Sequence, residues 1–326
     1  LDPISASTSR LEFTNNGTIL LTADETGGIE VQTDNSLGGG TDDSIGINGA
    51  TGKIIGNGKK QIGMIFTDEG NSTGTYTLQN DGTIVMEGDE SLGYGLKVIH
   101  NWTAVVINNN LITMKGNKSY GIAIGTNNDG LQAGSSATNN GTINIEGNES
   151  GGIAIQHDMA GGIKNASGGI INVSGENSFG MYSQVNGKNY NNEGIINITG
   201  SKDKSIGLRV ETAGATLTNK NKINISSTGT ENIGMYSSNG TVTNDSNAKI
   251  TVTAGENIGM MAKGAGQVQN LGTITVTSDG ATGAVVSTGG HAANSGARGK
   301  AGAGRGYGRA ARAQDRGGAG SESGSG

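Results

Sequence analysis

The 326-residue chain contains no cysteine, so neither disulfides nor a thiol nucleophile are available to it. A single proline leaves almost no fixed kinks. Aromatic residues are 3% of the chain and the whole apolar set 32%, so a conventional compact core has little material to draw on. Leu, Ile, Val and Phe together reach only about a fifth, the edge of the range associated with disorder. No apolar run approaches the length of a membrane-crossing helix, and no secretory leader is visible. The chain begins at Leu1 and therefore reads as an internal fragment, so a missing leader says little about location. Basic residues are also scarce. Lys and Arg number 22 against 28 Asp and Glu, and the formal charge of −6 speaks against a nucleic-acid partner.

What is abundant is Gly, 61 residues, together with Asn and Thr, and Ile outnumbers Leu by 32 to 13, which favours strand over helix. These residues are arranged in a repeat. An Asn, a turn Gly and then Ile-x-apolar occur at Asn15-Asn16-Gly17-Thr18-Ile19, Asn80-Asp81-Gly82-Thr83-Ile84, Asn139-Asn140-Gly141-Thr142-Ile143 and Asn270-Leu271-Gly272-Thr273-Ile274. Degenerate copies fill the gaps, giving ten lead isoleucines: Ile19, Ile54, Ile84, Ile112, Ile143, Ile171, Ile196, Ile223, Ile250 and Ile274. A second landmark is a Gly followed by an apolar residue, at Gly28, Gly63, Gly95, Gly121, Gly152, Gly180, Gly207, Gly234, Gly259 and Gly283. A third apolar position lies two residues before a repeat Asn, as at Leu78, Val106, Ala137, Ile163, Tyr190, Leu217, Val242 and Val268.

Each unit thus holds three short alternating segments separated by turn residues, and alternation at period two sends one face inward. A short strand cannot bury that face alone, but stacking equivalent units in register does. The expectation is an all-β chain: a right-handed parallel β-helix of about ten coils over residues 1–288, roughly 45–50 Å long at about 4.8 Å per coil. The repeat Asn before each lead Ile is expected to stack at a turn and bond to its equivalents. Asn144, Asn172, Asn197 and Asn224 form a second, outward ladder expected to stabilise the sheet.

From about Gly289 the pattern stops. Residues 289–326 contain no Ile, Leu, Val, Met or Phe, and carry six basic residues (Arg298, Lys300, Arg305, Arg309, Arg312, Arg316) against Asp315 and Glu322. Residues 1–288 are left with 16 basic against 26 acidic. Such a tail is expected to be disordered. It reads as a linker, a vector-derived stretch or an out-of-frame extension in preference to a basic arm for an anionic partner.

Signs of chemistry are sparse. His100, His157 and His291 lack a second His at metal-ligand spacing, and no Gly-x-Ser-x-Gly elbow is present. No metal, cofactor or catalytic residue is expected. The stretch Leu37-Gly38-Gly39-Gly40-Thr41-Asp42-Asp43 is one imperfect copy of a calcium-binding nonapeptide, a motif that works by repetition, and reads as a loop. Acidic pairs recur at Asp24-Glu25, Asp68-Glu69 and Asp89-Glu90. They suit turns better than the tuned carboxylate pair of a glycosidase, but they make a polysaccharide-cleaving β-helix enzyme, lyase or hydrolase, the alternative function. The stronger candidate is an outward stripe. The residue two after the landmark Gly is Tyr182, Arg209, Tyr236 and Met261 in four successive units, whereas the earlier Ala123 and Ala154 are small. Stacked about 5 Å apart, these four form a candidate partner-binding surface.

The phrases Asn-x-Gly-Thr-Ile-x-Ile and Glu231-Asn232-Ile233-Gly234-Met235-Tyr236, with its echo Glu256-Asn257-Ile258-Gly259-Met260-Met261, resemble the passenger domains of large autotransporter adhesins of Gram-negative bacteria. The resemblance covers residues 15–287. It implies type V secretion, display at the cell surface through an outer-membrane domain outside this fragment, and a role in adhesion, aggregation or biofilm formation. The partners it implies are a host or bacterial cell-surface protein or glycan, with self-association as a further prospect. No catalytic residue carries across.

Overall fold

The structure, a computed structural model, describes residues 10–33, 43–68, 74–97, 103–125, 134–287 and 289–296. Across these residues the chain is a parallel β-solenoid without helices. Its strands form three sheets of eleven, ten and ten strands, and within each sheet every strand pairs with the strand three places on in the chain. Sheet A contains Asn189–Asn192 and its equivalents, sheet B Ile195–Ile198 and its equivalents, and sheet C Ile206–Val210 and its equivalents. The chain visits A, B and C in turn and then begins the next circuit.

The periodicity read from the sequence maps directly onto these sheets. The lead isoleucines Ile54 to Ile250 point inward from sheet B and are fully buried, while Ile19 and Ile274, nearer the two edges of the sheet, are partly covered. Leu78, Val106, Ala137, Ile163, Tyr190, Leu217, Val242 and Val268 point inward from sheet A and are buried. Sheet C contributes Met64, Tyr94, Ile122, Ile153, Met181, Leu208, Met235 and Met260. Each contact is with the equivalent residue one coil away, so a narrow core is built from ladders of like residues.

Three further ladders hold the corners. At the corner from sheet A to sheet B, eleven asparagines stack from Asn15 to Asn294. Each Nδ2 donates to the Oδ1 of the next, at 2.7–2.9 Å along the whole series. In several of them Nδ2 also donates to a carbonyl of its own turn, as from Asn139 to Gly141 at 3.1 Å and Asn192 to Gly194 at 3.2 Å. Asn48 through Asn244 are completely buried. The spacing of these residues in sequence falls from 33 to 24, yet the amides stay in line, so the connections elsewhere absorb the difference in coil length.

At the corner from sheet B to sheet C, the residue two before the landmark Gly is Ser91, Ser119, Ser150, Ser178 and Ser205, then Asn232 and Asn257, all buried. The backbone N–H of each serine donates to the side-chain oxygen of the next coil, at 2.9 Å for Ser91 to Ser119 and 3.0 Å for Ser119 to Ser150. The residue before it adopts a left-handed conformation, with φ between 52° and 61° at Glu25, Lys60, Glu90, Lys118, Glu149, Asn177, Lys204 and Glu231. That turn aims eight mostly charged side chains at solvent.

The landmark glycines make the third ladder and correct one assignment. The third member is Gly93, not Gly95, since Gly63 stacks on Gly93 and Gly93 on Gly121, while Gly95 pairs with Ile65. A β-carbon at Gly152 would lie 2.5 Å from the Gly180 carbonyl oxygen and 2.7 Å from Ile171 Cγ2, so the close approach of successive coils excludes any side chain there. The outward ladder of sheet B also forms: Asn172 donates to Asn144, Asn197 to Asn172 and Asn224 to Asn197, at 2.8–2.9 Å. Its amides point towards the preceding coil, opposite to those of the buried ladder.

The boundary drawn at residue 288 is passed by one strand. His291–Asn294 pairs with Gln267–Asn270, which gives sheet A its eleventh member. Alanines had erased its apolar pattern, but Asn294 continues the amide series. Residues 297–326, and the glycine-rich stretch up to Asp42, lie outside the described residues. Asp43 Oδ1 accepts a bond from the Thr75 N–H at 2.9 Å.

Replacing one buried rung leaves a donor below and an acceptor above without a partner, at about 1–3 kcal/mol. Asn165→Ala is therefore expected to lower stability by about 2 kcal/mol, measured by urea unfolding. Asn224→Ala, in the half-exposed ladder, is expected to cost well under half as much. Equal effects would show that burial of the amide is not what matters.

Candidate functional site

The four stripe residues lie on the outer face of sheet C in direct register: Tyr182 pairs with Arg209, Arg209 with Tyr236 and Tyr236 with Met261. The row continues as Val285 beyond Met261 and as Ala154, Ala123, Gly95 and Ile65 on the other side. The Arg209 guanidinium lies 5.3 Å from the centre of the Tyr182 ring. Its Nη2 donates to Glu211 at 2.8 Å, the Tyr182 hydroxyl donates to the same carboxylate at 3.3 Å, and Gln184 donates to that hydroxyl at 2.6 Å. Burial and the Glu211 charge push the Tyr182 phenol above its ordinary range, so it stays protonated. Arg209 is thus fixed flat against the sheet, not free to reach outward.

A second outward row escaped the sequence reading. The residue immediately before the landmark Gly is Ile62, Leu92, Tyr120, Gly151, Phe179, Ile206, Ile233 and Ile258, again in register along sheet C. The signal was available, because an apolar residue precedes that Gly in seven of these eight units. The two rows touch: Tyr120, Phe179 and Tyr182 form a chain of rings with centroids 5.9 Å and 5.4 Å apart.

Between the rows lies a groove of about 750 Å³. Gly95, Ala123 and Ala154 form its floor, Leu92, Tyr120 and Phe179 one wall, and Ile65 and Tyr182 with Arg209 its two ends. Glu149, Gln156 and Asn177 stand at the rim. The arrangement follows from residue size: three successive coils carry nothing larger than a methyl where their neighbours carry Ile, Tyr and Arg. Such a surface offers apolar contact and shape, with few uncommitted hydrogen-bonding groups.

The acidic pairs occupy other places. Asp24 and Asp89 cap the sheet B to sheet C corner, where Asp24 accepts from the Lys59 N–H at 2.8 Å and Asp89 from the Asn117 N–H at 2.9 Å. Glu25 and Glu90 are left-handed corner residues, and Glu25 pairs with Lys60 at 3.5 Å. The side chains of Asp68-Glu69 lie outside the described residues. Asp24-Glu25 and Asp89-Glu90 occupy the same corner two coils apart, with Lys59-Lys60 stacked between them. His100 also lies outside the described residues, and His291 is exposed on the last strand. No group of three metal-ligating side chains occurs among the described residues.

Beside the groove, between sheets C and A, Asp158 accepts from the Tyr190 hydroxyl at 2.8 Å and pairs with Lys188 at 2.7 Å. Burial works against the Asp158 charge, but the Lys188 ammonium and the Tyr190 hydroxyl outweigh it and hold the carboxyl below its ordinary range. Burial and that same carboxylate push the Tyr190 phenol far upward. This is a satisfied tether between coils, with no vacant position for a reacting group.

The chain matches no protein-family model, and no curated protein or solved structure is significantly similar to it.

A carboxyl whose pKa is lowered on folding stabilises the fold above its ordinary value, and that contribution disappears as pH falls through the lowered one. The stability gap between the wild type and Asp158→Asn is therefore expected to be constant near neutrality and to narrow below about pH 4. Chemical denaturation across that range checks it, and a pH-independent gap would contradict the assignment.

Proposed function

We propose that the chain is a non-catalytic adhesive or scaffold segment of a surface-displayed autotransporter passenger, a right-handed β-helix of about ten coils. The outer face of sheet C is its contact surface. The right-handed sense follows from the hand of strand–crossover–parallel strand connections. Partner recognition rests on the two outward rows, and above all on the unbroken register of Tyr182, Arg209, Tyr236 and Met261 beside the groove. Sheets A and B carry polar residues such as Thr, Asn and Lys over much of their outer faces, whereas this face carries Ile, Tyr, Phe and Met along nearly its whole length. A long apolar strip on a rigid rod is the feature a contact surface needs. Repetition along the rod adds weak contacts into useful strength.

The test is binding of the purified chain to bacterial and host cells, beside a variant carrying Tyr182→Ala and Tyr236→Ala. Loss of two aromatic anchors is expected to weaken binding about tenfold or more, with circular dichroism unchanged. Unchanged binding removes the stripe from consideration. Depolymerisation of a polysaccharide, abolished by changing Asp89 and Glu90, would replace the adhesive reading with an enzymatic one.

A further inference from the structure

We infer that Asn239 is a site of spontaneous covalent modification, converting to aspartate and isoaspartate while the chain stays folded. An asparagine loses its amide when the backbone nitrogen of the next residue attacks the side-chain carbonyl and closes a five-membered ring. Glycine best permits that attack, because it has no β-carbon to obstruct the approach and leaves the backbone free to turn. Six Asn–Gly pairs occur in the chain: Asn16–Gly17, Asn48–Gly49, Asn57–Gly58, Asn140–Gly141, Asn186–Gly187 and Asn239–Gly240. The state of the attacking nitrogen separates them.

In five pairs the glycine N–H is already donated. Gly17 bonds to Asn15 Oδ1 at 3.1 Å, Gly49 to the Asn15 carbonyl at 2.9 Å and Gly58 to Gln61 Oε1 at 3.0 Å. Gly141 bonds to the Asn108 carbonyl at 2.9 Å and Gly187 to the Gly214 carbonyl at 3.1 Å. Among the described residues the Gly240 N–H meets no acceptor, and Asn239 beside it is exposed. The cause is a short connection. Three residues, Ser238 to Gly240, join Ile233–Ser237 of sheet C to Thr241–Asn244 of sheet A. Four residues make the same connection one coil on, and five one coil back. In those longer connections the last N–H closes a turn on the carbonyl three residues earlier, Gly266 on Lys263 at 2.9 Å and Ala215 on Thr212 at 3.2 Å. Three residues before Gly240 stands Ser237, a strand residue whose carbonyl accepts from the Lys263 N–H of the next coil at 2.9 Å.

The step needs only water. Hydroxide removes the Gly240 amide proton, the nitrogen bonds to Cγ of Asn239, and the Cγ–Nδ2 bond breaks as Nδ2 takes up protons and leaves as ammonia. Water then opens the ring. Cleavage at Cγ leaves aspartate, and cleavage at the Asn239 carbonyl carbon leaves isoaspartate, whose main chain runs through the side chain and is one atom longer. The corner has no slack for that atom. The Gly240 carbonyl accepts from Ser237 Oγ at 2.7 Å and from the Gln267 N–H at 2.8 Å, and a β-carbon at Gly240 would strike Val210 Cγ1. Isoaspartate therefore pulls the Gly240 carbonyl off these donors and frees the end of the strand that carries Tyr236.

The experiment ages the full chain, wild type and Asn239→Gln, at physiological temperature in neutral and in mildly alkaline buffer, with a parallel sample in urea. Peptide mass spectrometry measures conversion at each of the six pairs, and isoaspartyl methyltransferase labelling measures isoaspartate. In the folded wild type, conversion at Asn239 is expected to run about tenfold or more ahead of the other five, the factor a lost hydrogen bond on the nucleophile supplies. Its rate should rise with hydroxide, and heavy-oxygen water should enter the product. The folded Asn239→Gln chain should lose most of the isoaspartate label, because a glutamine would have to close a larger ring. In urea the six pairs should react at similar rates, which places the difference in the fold. Equal conversion at Asn239 and any of the other five in the folded chain overturns the inference. So does a lead for Asn239 that persists undiminished in urea, since the free Gly240 N–H would then not be its cause.

Discussion

A carboxamide taken out of water must find partners for its N–H groups and its oxygen, or lose several kcal/mol. In this solenoid that demand is met by the same residue one coil away, repeated from Asn15 to Asn294. The requirement acts as a ruler. An apolar ladder tolerates small displacement, but a buried amide displaced by one residue would lose its bonds and turn its neighbours' faces inside out. Ladders of Ile, Val and Met supply the burial, and the asparagines fix the position at which burial occurs. The serine row and the landmark glycines repeat the principle at the other corner, the first through backbone N–H groups donated to Oγ, the second through a spacing that admits no side chain.

This is how a chain with so few apolar residues forms a core. Each inward side chain meets its own kind above and below, so a narrow cross-section with two or three apolar positions per strand suffices. The cost is that the outer faces become equally regular. Whatever residue type stands just before the landmark glycine, or two after it, is displayed as a row along the rod, and sheet C displays Ile, Tyr, Phe and Met. The face proposed as the contact surface is thus a consequence of the corner ladders, which set its rungs at one strand spacing and keep it straight.

Much of the fold was legible in the sequence because its period is carried by residue types with strong positional demands. The lead isoleucines, the third apolar positions and the buried asparagines all fall where spacing placed them. Gly95 was mistaken for a landmark because Gly-Leu imitates Gly-apolar. The true member, Gly93, precedes Tyr94, whose fully buried ring lies among the isoleucines and methionines of its row and whose hydroxyl bonds to the Ile107 carbonyl at 2.8 Å. His291–Asn294 was missed because alanines carry no apolar signal while the backbone still pairs. The stripe was visible as a spacing, but the groove was not. It depends on Ile62, Leu92, Tyr120 and Phe179, whose outward aim follows from the glycine corner and breaks simple alternation. The serine row was also hidden, because a serine beside a turn reads as a solvated residue until its stacked neighbour is seen.

The claim that polar ladders at the corners lock the coils is most directly tested by residue-resolved hydrogen exchange. Turn amides ordinarily exchange fast, whereas here the N–H groups of Ser91, Ser119 and Ser150 donate to a buried oxygen in the next coil at 2.9–3.1 Å. The account predicts that these corner amides exchange as slowly as those of the central strands. Fast exchange at the serine corners beside slow exchange in the strands would contradict it, and would mean that the apolar ladders alone hold the solenoid together.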